Sequence, residues 1–252
     1  MTNTFHAHCI QVLDKYKVSA DETQVLNQIF IEIWQELQPI HQYNPRKYYG
    51  GSYAKGTMIK GSYDLDIVIY FAKNNPHSVK QLAEIVENIL SKKLQITRMG
   101  VASQFTHRRH EIDVVVGKAQ DEQFVFADLW NLKEQKAMRT SLVTHINNVA
   151  EVEQVIKLMK IWRQNNKLQW HKLAMEQTIV RVLKDKPKNN LGVCLQEVFL
   201  DVKTNIDNVR FLDPANCNNP IFVSDAQRKQ IKEAATLALD RIQKSDYKSV
   251  IF

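Results

Sequence analysis

Asp64 and Asp66 stand two positions apart at the head of an apolar run that reaches Phe71. Alternate side chains of a strand share a face, so the two carboxylates point the same way, roughly 6.6 Å apart along the backbone. Unpaired, they would repel each other and be costly to desolvate. A hard cation between them removes both penalties, and Mg2+ held by one or two carboxylates plus substrate phosphates is the usual arrangement. Just upstream lies Gly50-Gly51-Ser52. Gly51 lets the backbone approach a ligand closely, and its N–H and the Ser52 hydroxyl can donate to phosphate oxygens. A third carboxylate, Asp113, stands alone among β-branched residues in Ile112-Asp113-Val114-Val115-Val116, a second strand pattern. If that strand lies beside the first, Asp113 faces the same metals. Two-metal sites hold their ions roughly 3.5–4 Å apart, and one ion must contact the attacking oxygen, so a third acidic group is chemically reasonable. Together these residues describe a nucleotide site.

Several elements must position them. Ser19-Ala20-Asp21-Glu22 is a capping-box pattern, followed by Val25, Leu26, Ile29, Phe30, Ile33, Trp34 and Leu37 at helical spacing. This predicts a long helix behind the sheet, its aromatics serving the core. Residues 5–16 form a shorter helix before it. Pro45 ends any helix, and 46–50 reads as a strand entering the glycine turn. Val79, Leu82, Ile85, Val86 and Ile89 line one side of a helix over 78–90, and strands are expected at 95–98, 102–107 and 124–127. From Ser141 the periodicity turns helical, with helices over 149–164, 171–183, 191–203 and 224–243. A turn at Asn189-Asn190 and an extended piece at 208–212 interrupt them. The expected organisation is therefore an α/β lobe over 1–140 and a mostly helical lobe over 141–252, with a small ligand in the cleft between.

A chain of 252 residues with 44% hydrophobic and 24% charged residues can bury a sizeable core. No apolar run approaches the roughly 20 residues needed to span a bilayer. The first residues lack a basic and an apolar region, so no signal peptide is expected. Cys9, Cys194 and Cys217 are odd in number and widely spaced, as reduced thiols of a cytoplasmic protein would be. A zinc site borrowing His6 or His8 lacks the usual ligand spacing. The formal charge of +7 suits nucleic acid or simply attracts nucleotides, and the basic residues are scattered.

Gly51-Ser52, twelve positions to Asp64, then Asp64-Leu65-Asp66 and an isolated Asp113 on a later strand form a pattern that resembles the DNA polymerase beta-like nucleotidyltransferase superfamily. The fuller stretch from Gly51 to Thr57 and from Lys60 to Phe71 is similar to the cGAS/DncV-like nucleotidyltransferases (CD-NTases), oligoadenylate synthetases and cGAS. The resemblance covers nearly the whole chain, strongly in the first lobe and moderately in the second. It implies an α+β fold, with a mixed-sheet catalytic lobe packed against an oligoadenylate-synthetase-like helical C-terminal lobe and a cleft between. The implied activity is template-independent joining of NTPs (ATP and/or GTP, UTP, CTP) into a small, cyclic oligonucleotide with release of pyrophosphate, as an antiphage second messenger. Two Mg2+ ions, replaceable by Mn2+, would sit on Asp64, Asp66 and Asp113. The resemblance also implies that nucleic acid is not required, that no membrane is involved and that a regulatory protein partner is compatible.

Within the helical lobe, Lys160 in Leu158-Met159-Lys160-Ile161-Trp162 matches the family lysine that reaches the triphosphate. A cation there would neutralise phosphate charge left uncompensated by the metals. The Lys55 position is commonly basic in the family. Where the family often has a serine on phosphate and a tyrosine on the base, this chain has Lys172 and Leu173. Lys172 can still meet phosphate, and Trp170 or His171 can offer a stacking face. Asp213-Pro214-Ala215 resembles a segment near the family's C-terminus and is read as a structural turn. Val250-Ile251-Phe252 resembles a natural family ending, so an untruncated chain is expected. Two other readings remain: the same transfer to an RNA 3′ end, a protein or a small molecule, and a nucleic-acid-binding module with idle catalytic residues. The first of these usually needs an extended basic surface and an additional domain, for which the chain is short.

Overall fold

The computed structural model describes residues 4–251. Met1–Asn3, within the segment read for a leader, and Phe252, within the closing segment, lie outside the described residues. The chain runs through α1 (Phe5–Lys15), α2 (Ala20–Glu36), β1 (Arg46–Tyr49), α3 (Gly51–Ala54), β2 (Leu65–Phe71) and α4 (Val79–Leu90). There follow β3 (Thr97–Met99), β4 (Ala102–His107), β5 (His110–Ala119), β6 (Ala127–Asn131) and β7 (Lys136–Thr140). The remainder is α5 (Leu142–Asn147), α6 (Glu153–Asn165), α7 (Lys172–Leu183), α8 (Leu191–Asn205), β8 (Phe211–Asp213), β9 (Asn216–Ile221), α9 (Asp225–Gln243) and α10 (Tyr247–Ile251). Two compact units result. One holds Val18–Met58 and Ser62–Ile146; the other holds the residues up to Lys17, Ile59–Gly61 and those from Asn147 on.

In the sheet unit, Ser19 and Glu22 form the capping box that starts α2, each side chain taking the other's backbone N–H at 3.1 and 2.9 Å. Leu26, Ile29, Phe30 and Ile33 are buried along one stripe. Val25 lies off that stripe and is exposed, and Trp34, partly buried against the same core, also stacks on His41. Ser78 and Gln81 cap α4 in the same way, and Leu82, Val86 and Leu90 are buried. Both helices cover one face of the sheet, where they meet Leu65, Ile67, Ile69 and Phe71 of β2 and Ile112, Val114 and Val116 of β5. The alternation in each strand is the period-two pattern of a half-covered sheet.

The sheet is mixed. Its strand order is β1-β2-β5-β4-β3, with β6 pairing β5 and β7. β2 and β5 are parallel, and every other pair is antiparallel. On the face away from α2 and α4, Val68 and Tyr70 pack with Ala119, Phe124, Ala127 and Leu129. Gly117 makes room for this: a Cβ there would lie 2.7 Å from the Tyr70 ring. The β4–β5 hairpin turns on Arg108 and Arg109, both at positive φ. Arg108 is tied to Glu32 of α2 at 2.7 Å, and His107 meets the same carboxylate at 3.0 Å.

The strand expected at 124–127 begins instead at Ala127. The Asp121 carboxylate takes the N–H groups of Phe126 and Val125, both at 3.0 Å, and winds the intervening residues into a turn with Phe124 at φ 63°. Those same bonds hold the Asp121 carboxyl below its ordinary range.

The helical unit has its own core, including Phe5, Cys9 and Val12 of α1, Met159 and Trp162 of α6, Ile179 of α7 and Phe199 of α8. Asn190 caps α8 through the N–H of Val193 at 3.1 Å. Asp213 closes the β8–β9 hairpin, accepting from Ala215 N at 2.8 Å and Asn219 Nδ2 at 3.3 Å, a structural turn. Among the described residues no helix is long and apolar enough to cross a membrane.

Candidate active site

The edge strand β1 delivers the chain to the glycine turn. Gly50 N donates to Asp66 O at 2.8 Å, which carries the β1–β2 pairing one step further. Gly51 then takes φ 48°, a left-handed conformation that glycine adopts without steric cost. Ala54 N on Gly50 O and Thr57 N on Ser52 O, at 3.0 and 2.9 Å, wind Ser52 into the short helix α3. A Cβ built on Gly51 would lie 1.7 Å from Asp66 Oδ2. The carboxylate therefore rests directly against bare backbone, in a cradle that any larger residue would fill.

The turn is tethered from behind. Tyr53 of α3 and Tyr49 of β1 donate their hydroxyls to Asn27 Oδ1 of α2, at 2.7 and 2.9 Å. The two rings stack at 4.2 Å, and Tyr49 stacks on Phe30 at 4.1 Å. Burial, and then the neighbouring Tyr53, push the Tyr49 phenol up, so it keeps the proton it donates. At the other end of the segment, Tyr63 donates to Glu22 at 3.2 Å. The long helix thus holds both ends of the stretch between Gly51 and Asp64. The sequence shows α2 as a capping box followed by an apolar stripe; Asn27, polar beside the buried Leu26, is the signal for the tether.

Asp66 is the register partner of Asp113 on the parallel strand β5. Adjacent strands lie about 4.8 Å apart, and partners in register share a face, so these two half-buried carboxylates stand side by side. Asp64 falls one residue before β2, in the incoming loop. Among the described residues no group of three or more His, Cys, Asp or Glu is arranged to hold a metal ion. The Asp66–Asp113 pair nevertheless has the donor chemistry for a hard cation, since Mg2+ takes one or two carboxylates and completes its shell with phosphate oxygens and water. The row continues: Gln104 of β4 is the partner of Asp113, and Thr97 of β3 the partner of Gln104. Neither was singled out in sequence, because which residue stands across a hairpin depends on a register that local pattern does not give.

Ser52 is half-buried in the turn and Lys55 caps α3. Lys160, half-buried on α6, and Lys172, the exposed first residue of α7, belong to the helical unit. One expectation there is corrected. Trp170 is only 2% exposed and packs edge-on to Trp162 at 6.5 Å, so it belongs to the core and offers no ligand a face. The neighbouring His171 is exposed.

Residues 28–162 match the nucleotidyltransferase domain family. No curated protein sequence matches the chain at a significant level. Among solved structures, CdnC of E. coli MS115-1 with ATP aligns with 97% of this chain and 93% of its own, at 16% identity and TM-score 0.76. CdnE cyclic dinucleotide synthase of Elizabethkingia meningoseptica, solved with GTP and Apcpp, aligns with 86% of this chain and 91% of its own, at 14% identity and TM-score 0.63. The Cid1 poly(U) polymerase bound to MgATP aligns with 98% of each chain, at 12% identity and TM-score 0.71. At these identities the likeness establishes the fold, the polymerase beta-like nucleotidyltransferase fold.

Proposed function

The chain belongs to the nucleotidyltransferase domain family, and from that premise we propose that it joins NTPs into a small cyclic oligonucleotide signal with release of pyrophosphate. The observation that carries this reading is the in-register pair Asp66–Asp113 beside a turn whose Gly51 is bare against the Asp66 carboxylate. CdnE, which shares the fold, is described as a cyclic dinucleotide synthase, and CdnC was solved with ATP and in complex with a HORMA protein. We extend to this chain NTP substrates, a regulatory protein partner, a cytoplasmic location and a role in antiphage signalling.

Ser52 and the backbone of Gly51 hold the triphosphate through hydroxyl and N–H donors. Asp64, Asp66 and Asp113 are the ligands we assign to two Mg2+ ions, for which Mn2+ can substitute. Divalent ions held there supply charge neutralisation at the α-phosphate and make an acceptor hydroxyl easier to deprotonate. To Lys55, Lys160 and Lys172 we assign the neutralisation of phosphate charge. The protein's contribution is positioning and fixed electrostatics.

Labelled NTPs incubated with the protein and Mg2+ or Mn2+, then treated with phosphatase, test this reading. A small product resistant to phosphatase is expected; label that appears only when RNA is added supports transfer to RNA 3′ ends. That second reading is favoured by one observation, the full-length likeness to a poly(U) polymerase. Absence of incorporation under every condition overturns both.

A further inference from the structure

Four side chains run in a line across adjacent strands: Asp66, Asp113, Gln104 and Thr97, on β2, β5, β4 and β3. Their sequence neighbours face the other way. Phe105 is buried in the core beneath α2 and α4, and Arg98 reaches Glu87 of α4 at 2.5 Å. The line itself lies on the face away from α2 and α4. Gln104 is half-buried, while Thr97, Met99 and Thr106 around it are exposed. One strand spacing, about 4.8 Å, separates the Gln104 backbone from that of Asp113.

The line has a direction. The glycine turn stands at its β1 end, where Gly50 N meets Asp66 O and Gly51 meets the Asp66 carboxylate. If that turn holds the triphosphate, as the proposed function requires, pyrophosphate departs toward β1. Phosphoryl transfer places the attacking and leaving oxygens roughly in line. The acceptor therefore approaches from the β4 end, with its hydroxyl near Asp113 and the rest of its nucleoside extending over β4. The acceptor oxygen bonds to the α-phosphorus as the bond to the bridging oxygen breaks. Pyrophosphate leaves with that electron pair, and the hydroxyl proton is released to water.

We propose that Gln104 is an acceptor-binding residue, its amide hydrogen-bonding the acceptor nucleotide beside the attacking hydroxyl. A primary amide presents both a donor and an acceptor, which suits a sugar hydroxyl or a base edge. Gln104 touches only the acceptor; the donor is held from the opposite end of the line. This assignment rests on the nucleotidyltransfer reading and adds to it which face of the sheet selects the second nucleotide.

Two analogues separate the roles. A 2′,3′-dideoxy NTP has no attacking hydroxyl and serves only as donor; an α,β-methylene NTP cannot release pyrophosphate and serves only as acceptor. Coupling of the pair is followed with Mg2+ or Mn2+ in the wild type, Gln104→Ala and Gln104→Leu. The expected result is an acceptor KM raised about tenfold, the equivalent of roughly 1.4 kcal/mol and one lost hydrogen bond. Donor KM, dideoxy NTP affinity and melting temperature should stay within about twofold or a degree of wild type, since the side chain stands on the face away from the α2–α4 core. An unchanged acceptor KM, or donor and acceptor constants rising together, overturns the assignment while leaving nucleotidyl transfer intact. A wild type that couples no pair of analogues and no pair of natural NTPs overturns both.

Discussion

The Tyr53 hydroxyl donates to Asn27 Oδ1 at 2.7 Å, joining the glycine turn to the long helix α2. Tyr49 donates to the same oxygen at 2.9 Å, so one amide fixes two stacked aromatics that flank Gly50 and Gly51. Asn27→Leu leaves both hydroxyls without that acceptor in a part-buried position. The expected cost is about 1–3 kcal/mol. For a chain of this size each kcal/mol lowers Tm by roughly 2–4 °C. The tether also predicts a KM for NTP that rises more than kcat falls, because a loosened turn binds phosphate less well. A melting curve and a steady-state assay check this; an unshifted Tm with wild-type KM would show that the tether carries nothing.

Gly51 and Gly56 share a left-handed backbone but differ in surroundings. A Cβ on Gly51 meets Asp66 Oδ2 at 1.7 Å, whereas one on Gly56 meets nothing within 4 Å. Gly56→Ala therefore carries only backbone strain of about 1–2 kcal/mol. Gly51→Ala must also displace a carboxylate, and misplacement by about 1 Å costs on the order of a hundredfold in rate. Turnover of the two variants, compared at equal folded fraction, distinguishes the effects. Equal losses would remove the special status of Gly51.

Asp113→Ala tests the acidic pair. Asp113 sits across from Asp66 in the parallel register, on β5. Its loss should reduce turnover by at least about a hundredfold while NTP affinity, held by the turn, persists. Chelation with EDTA should abolish wild-type turnover, and Mg2+ or Mn2+ should restore it. Near-normal turnover of Asp113→Ala would end its assignment as a ligand.

Much of the frame around this candidate site was legible in the chain because its signals are local. Ser19 with Glu22 announced α2, and the valines around Asp113 announced β5. What escaped depended on pairing across long separations. Gln104 gains meaning only from the β4–β5 register, and Asn27 only from two tyrosines more than twenty residues away. Trp170 misled for a related reason. Its neighbours in sequence are polar, but a tertiary contact with Trp162 decides its burial. The strands β7 and β9 were missed because Lys136–Thr140 and Asn216–Ile221 carry little apolar alternation; each is defined by its hairpin partner.

Gly117 faces Tyr70 across the β2–β5 pair, and a Cβ there would come within 2.7 Å of the ring and 3.0 Å of Leu129 Cδ2. Gly117→Ala should therefore overpack this side of the sheet, costing about 1–3 kcal/mol. The cost is relieved in Gly117→Ala with Tyr70→Leu, since the ring is what the methyl group meets. Denaturant unfolding of the singles and the double gives the coupling. A Gly117→Ala variant as stable as wild type would mean the Tyr70 ring does not lie over the glycine.

The three thiols should differ sharply in reactivity. Burial, foremost, pushes the Cys9 thiol up to about 12; a backbone hydrogen bond opposes this, and the nearby Cys194 adds a lesser push upward. Burial likewise raises Cys194, and both lie in the core of the helical unit. Cys217, on β9, is exposed. The thiolate is the reacting species, so at pH 8 the two buried cysteines are protected twice, by access and by protonation. A disulfide reagent should modify one thiol per folded chain rapidly and all three after denaturation in guanidinium. Raising the pH to 9 should not add to the amplitude of the fast phase, because the Cys9 thiol is still protonated there. Two or three rapidly reacting thiols in the folded protein would mean that α1 and α8 do not seal the core around Cys9 and Cys194.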